Sequence, residues 1–344
     1  MVLLSGEAGI GKSRLVEVLR ERAEREECTC LVFRCSPYYQ QSALYPVIEQ
    51  VQRRLQWHRD DTPETKLARL EQMLQAYRFS LGEGVPLLAA LLSIPLPEAR
   101  YAPLPLSPQR QRQKTLEVLL AWLLAEAERQ PTLAVWEDLH WADPSTLEFL
   151  GLFIDQIPTA RLLALFTCRP EIRPPWSPRS YLTQLTLDRL GRAQVEAMTK
   201  RITGGKALPE EIIQQVVAKT DGIPLFVEEL TKTILEAGLL REHEDHFELS
   251  RPLPPLAIPA TLHDSLMARL DRLGTGKEVA QLAATLGRTF PYELLRGVSP
   301  LDEDTLQQAL ARLVEAELLY QRGMPLQAMY IFKRGLVIIL RRRG

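Results

Sequence analysis

Eight residues near the start of the chain carry its most specific chemistry. Gly6-Glu7-Ala8-Gly9-Ile10-Gly11-Lys12-Ser13 fits G-x-x-x-x-G-K-[ST] without a gap. Glycines let a backbone curl until successive N–H groups face one anion. A helix starting near Lys12 adds its positive end to the attraction. Lys12 then reaches the β- and γ-phosphates of a nucleotide as a point charge, and Ser13 offers its hydroxyl to Mg²⁺. The alternative is a chance glycine turn. Against it, an apolar strand precedes the motif and an amphipathic helix follows it.

A second pattern is Leu133-Ala134-Val135-Trp136-Glu137-Asp138, four apolar residues ending in two acids. Open parallel sheets bind ligands at the carboxyl ends of their strands, so these acids should emerge beside the glycine loop. Glu137 takes the Mg²⁺ side, through a water. Asp138 is the candidate to orient and deprotonate an attacking water. By itself this pattern is common, and it gains weight from sharing a chain with the first. A third element is Arg169, just past the apolar run 162–167. There a guanidinium touches and reports a γ-phosphate, or is an ordinary surface arginine.

These groups need elements to position them. Residues 2–5, 31–34, 133–136, 162–167 and 185–187 read as strands. Helical spacing covers 12–27, with Leu15, Val18 and Leu19 on one face, and then 45–56, 63–78, 109–129 and 147–157. Strands alternating with helices over 1–188 predict a parallel sheet covered by helices, with an insertion at about 37–107. Past 188 come helices at about 191–202, 209–219 and 224–238, which predict an all-helical region over 189–250. A proline-rich stretch, 251–259, marks a boundary. Helices near 261–273, 275–286 and 302–317, then a hairpin within 318–332, predict a winged-helix-like domain over 251–344.

Composition narrows the function classes. The 344 residues suit two or three domains. A net charge of −1 gives no general pull toward nucleic acid or an anionic membrane. No apolar run approaches the ~20 residues of a membrane span. Four cysteines, with no leader segment visible, predict a reducing, cytoplasmic setting. Cys28, Cys30 and Cys35 lie close together, but no second pair follows at zinc spacing, so they read as packing groups. His243 and His246 sit in an acidic, loop-like stretch and are not read as ligands.

With these motifs in place the chain resembles the STAND class of signal-transduction ATPases, a branch of the AAA-like P-loop fold. Ser5 to Arg14 is similar to that family's phosphate loop, with Arg14 as its last residue. Glu137-Asp138-Leu139-His140-Trp141-Ala142-Asp143-Pro144-Ser145 resembles the E-D-L-H-W-A-D-P-S segment of bacterial members. These are fused to nucleotide cyclases, kinases, LuxR-type or tetratricopeptide domains. Thr167-Cys168-Arg169-Pro170-Glu171 is similar to their sensor segment, and Asp221-Gly222-Ile223-Pro224 to their G-x-P lid motif.

The resemblance implies an α/β P-loop NTPase followed by an all-helical lid and a winged-helix-like domain. It implies Pro224 packing on adenine, Arg169 sensing the γ-phosphate, and ATP or ADP with Mg²⁺ as ligand. ATP would favour an open state able to self-associate and ADP a closed one, with protein partners or fused effector domains as the output. Apart from the resemblance, Gly222-Ile223-Pro224 suits a helix-starting turn, and His140 and Trp141 suit packing at a strand end. The family carries a helix and a short Gly-Arg segment ahead of its first strand, whereas Met1 opens on that strand here.

The leading expectation is a slowly hydrolysing regulatory ATPase. One alternative is a DNA-engaging ATPase with a winged helix. Its reading helix would begin Asp302-Glu303-Asp304 and carry Glu315 and Glu317 against Arg312 alone, a surface that repels phosphate. The other alternative is a small-molecule phosphotransferase, which the P-loop by itself permits.

Overall fold

Alternating apolar residues along four short strands supply two buried faces, and these organise the first half of the chain. In the computed structural model, which describes residues 1–58, 60–97, 99–172, 176–250, 262–324 and 327–332, the chain forms two compact units, Met1–Asp188 and Arg189–Gly344. The proline-rich stretch 251–259 and the terminal arginines lie outside the described residues.

The first unit runs β1 (Val2–Ser5), α1 (Lys12–Arg25), β2 (Thr29–Arg34), α2 (Tyr45–Arg54), α3 (Pro63–Ala76), α4 (Leu81–Leu92), α5 (Pro108–Arg129), β3 (Thr132–Glu137), α6 (Pro144–Gln156), β4 (Leu162–Cys168) and β5 (Thr183–Thr186). The strands form one sheet in the order β2-β3-β4-β1-β5, every pair parallel. All five carboxyl ends therefore share one edge, where an open parallel sheet offers its site.

Period-two alternation sorts the side chains. Leu3, Phe33, Trp136 and Phe166 face a large core with Phe149 and Phe153 of α6. Leu4, Val32, Val135 and Leu165 face the other side, where Val16 of α1 packs. Phe33 and Trp136 stack with ring centroids 3.9 Å apart. Every residue of β3 is buried, as expected of a central parallel strand.

Several helices start where a short polar side chain and a proline adjoin. Thr62, Ser107 and Asp143 cap α3, α5 and α6, and each accepts a backbone N–H while proline takes the first turn. The cap at Asp143 starts α6 at Pro144, three residues ahead of the predicted 147. The proline- and leucine-rich stretch before Pro108 contains a helix, α4, which Pro86 does not break. The predicted face of α1 is corrected. Leu15 and Val18 are 48% and 46% exposed, and the helix rests on the sheet through Val16, Leu19 and Ala23.

The second unit runs α7 (Arg192–Ile202), α8 (Glu210–Thr220), α9 (Pro224–Glu236), β6 (Leu240–Glu242), β7 (Phe247–Leu249), α10 (Leu262–Arg272), α11 (Thr275–Leu286), β8 (Thr289–Pro291), α12 (Tyr292–Val298), α13 (Glu303–Glu315), β9 (Leu319–Arg322) and β10 (Met329–Phe332). Helices α7 to α9 share one core. The all-helical expectation for 189–250 is corrected, because β6 and β7 pair as an antiparallel hairpin behind α9. Its strands are three residues each, too short to show alternation. Helices α10 to α13 enclose a second core together with a three-stranded antiparallel sheet, β8-β10-β9. The expected hairpin is β9–β10, and β8 and α12 are additions to it.

Candidate functional site

The loop between β1 and α1 closes on itself. Gly9 and Gly11 have φ of 82° and 107°, the left-handed region that glycine enters without strain. A Cβ on Gly6 would stand 2.7 Å from Ile10 Cγ2, so the turn admits only glycine there without a shift. The Gly11 carbonyl accepts the first helical bonds, from Arg14 and Leu15 N–H at 2.9 and 3.1 Å. Within the loop Ile10 N–H donates to the Glu7 carbonyl at 3.4 Å, and the N–H groups of Lys12 and Ser13 precede the first helical bonds. The Lys12 ammonium donates to the carbonyl oxygens of Gly6 and Glu7 and is buried across the loop. Ser13 follows it on the first turn of α1, and Ala8 is the exposed tip.

Glu137 ends β3 with its side chain buried. Asp138 turns the chain with φ 59° and caps a 3-10 turn, Leu139–Trp141. Its backbone N–H donates to Thr167 Oγ1 of β4 at 2.9 Å. Behind the turn, Asp143 fastens the next segment by accepting from Leu44, Ser145 and Thr146 N–H.

Electrostatics gather these groups around Lys12. Burial lowers the Lys12 pKa, the Asp138 carboxylate acts in the opposite sense, and Arg169 lowers it further. His140 is pushed down to about 4, chiefly by burial and then by Arg169 and Lys12. Its Nδ1 is buried without a hydrogen bond. The Arg169 guanidinium lies 5.7 Å from the centre of the Trp141 ring, a cation–π distance. Lys12, Asp138, His140 and Arg169 therefore meet at one sheet edge.

Pro224 opens α9 in the second unit, after Gly222 at φ 70°. Sequence reasoning missed Thr167 and Arg34, and gave His140 a packing role apart from the resemblance. A threonine at the end of a buried strand, one strand away from the acids, is the signal that was available for Thr167.

The donor set fits Mg²⁺. The Ser13 hydroxyl and the Glu137 carboxylate are hard oxygen donors of the kind that ion takes. Among the described residues no group of three or more His, Cys, Asp or Glu is placed to hold a metal ion.

Comparisons with known proteins bear on the family and the fold. Residues 1–165 match the AAA ATPase domain family model. An uncharacterized protein of Rhizobium meliloti (strain 1021) is 27% identical over 340 residues, covering 98% of this chain and 32% of that protein. The crystal structure of a Signal Transduction ATPase with Numerous Domains (STAND) protein with a tetratricopeptide repeat sensor, from Pyrococcus horikoshii, superposes with a TM-score of 0.52 at 12% identity. It covers all of this chain and 40% of that one. Drosophila ORC bound to DNA matches at 14% identity with a TM-score of 0.35, over 99% of this chain and 88% of that one. The chain thus spans about a third of the curated relative and two fifths of the STAND structure. Residues 1–165 are thus similar to AAA ATPase domains, and the chain has a P-loop NTPase fold like that of the STAND structure.

Proposed function

We propose that the chain binds Mg·ATP at Gly6–Ser13 and hydrolyses it slowly, as a switch whose nucleotide state governs partner domains. The single observation that carries this is the meeting of Asp138, His140 and Arg169 at the buried Lys12. In this reading the loop's N–H groups and Lys12 bind the β- and γ-phosphates. Magnesium, when bound, neutralises phosphate charge, with Ser13 and Glu137 holding it. Asp138 accepts a proton from a water whose oxygen attacks the γ-phosphorus, while the bond to the β–γ bridging oxygen breaks. Arg169 stabilises the charge on the γ-phosphate. Pro224 packs on the adenine. Residues 189–250 serve as lid, and 251–344, with its helices and three-stranded sheet, as a winged-helix domain.

Asp138→Asn tests the reading. It should retain ATP binding and lower hydrolysis at least about 100-fold, since a carboxamide does not accept the proton. Size measurement with ADP and with a non-hydrolysable ATP analogue then tests the switch. A change between the two supports it, and fast turnover with identical shapes in both contradicts it.

A further inference from the structure

Arg34 ends β2 opposite Glu137 in the parallel register of β2 and β3. Its Nε stands 3.6 Å from Glu137 Oε1. The Glu137 side chain is 4% exposed and that of Arg34 39%. Arg34 Nε is itself buried and makes no hydrogen bond, so the pair is held by charge alone at this atom. The backbones are locked, because Cys35 N–H donates to the Glu137 carbonyl at 3.0 Å. The arginine side chain is the more exposed of the two.

A buried carboxylate needs a counter-charge. We infer that Arg34 is the resident counter-ion of the Mg²⁺-side carboxylate and weakens that carboxylate's hold on the ion. This rests on the Glu137 reading under Proposed function. With the guanidinium in place, Glu137 presents only part of its charge to a cation arriving beside Ser13. The long, unbonded contact makes the pair easy to loosen when that cation comes. Arg34 is thus a positioning residue, acting through Glu137 and not on the nucleotide.

The test is fluorescent-nucleotide binding titrated with Mg²⁺, which reads affinity independently of turnover. In Arg34→Met the Mg²⁺ midpoint should fall roughly three- to fivefold, the range of a half-exposed ion pair. Arg34→Lys, which keeps the charge, should stay near wild type. In a Glu137→Gln background Arg34→Met should have no effect. If Arg34→Met does not fold, the double variant Arg34→Met/Glu137→Gln decides. Its recovery supports the pairing, and its failure overturns it. A clear wild-type midpoint that Arg34→Met leaves unmoved overturns this inference alone. Wild-type binding that ignores Mg²⁺ overturns the Glu137 reading, and this inference with it.

Discussion

Thr167 Oγ1 accepts the backbone N–H of Asp138 at 2.9 Å, tying the end of β4 to the turn that carries the proposed base. Asp138 holds φ 59°, a conformation an aspartate keeps only when its surroundings fix it. Thr167→Val preserves shape and removes that acceptor. The expected result is a kcat lowered about tenfold with ATP affinity nearly unchanged, because the orientation of the base is lost while the phosphate loop is intact. Steady-state kinetics beside direct nucleotide binding check this.

His140 gives a pH signature. Its pKa falls from an ordinary 6.5 to about 4, mainly by burial, with Arg169 and Lys12 adding repulsion. A depressed histidine contributes stability that is present above pH 6.5 and is lost as pH falls toward 4. His140→Gln cannot titrate. Its melting temperature relative to wild type should be constant above pH 6.5, and should gain on wild type between pH 6.5 and 4. Thermal scans over that range check the sign.

Gly222 cannot accept a side chain. An added Cβ would lie 2.2 Å from the Leu190 carbonyl oxygen, at a φ of +70°. The same backbones are joined by Leu190 N–H donating to the Gly222 carbonyl at 2.8 Å. Gly222→Ala should destabilise the second unit by about 2–3 kcal/mol, read as a lower denaturant midpoint.

Arg269 and Glu229 form a buried ion pair between α10 and α9, with side chains 3% and 1% exposed. Arg269 also donates to the Ala316 carbonyl at 2.7 Å, just past α13. Arg269→Met should cost about 3–5 kcal/mol, because the Glu229 carboxylate stays buried without its guanidinium. Adding Glu229→Gln should recover part of that loss. Urea denaturation of the single and double variants measures the difference.

The glycine loop and the acids of β3 are legible in sequence because short local runs encode them. The sheet is legible too, since Leu133 to Trp136 and 162–167 are too apolar for any exposed element. Helix α4 is not, because its leucines surround it and give no amphipathic period, and Pro86 reads as a break. The exposed Leu15 and Val18 mislead for the opposite reason. They keep helical spacing, but the sheet takes the neighbouring stripe of Val16, Leu19 and Ala23. Arg34 is invisible in one dimension, because only strand register sets it beside Glu137. The depressed pKa of His140 comes chiefly from burial, with Arg169 and Lys12 adding to it, and these surroundings exist only after the sheet forms.

Equilibrium binding of ATP with Mg²⁺, measured for the folded wild type and for Lys12→Ala, tests the central claim most directly. One ATP per wild-type chain and at least about 100-fold weaker binding in Lys12→Ala is the predicted result, given a buried ammonium that the loop holds in place. No nucleotide on the folded wild type, or equal binding by both proteins, would contradict it.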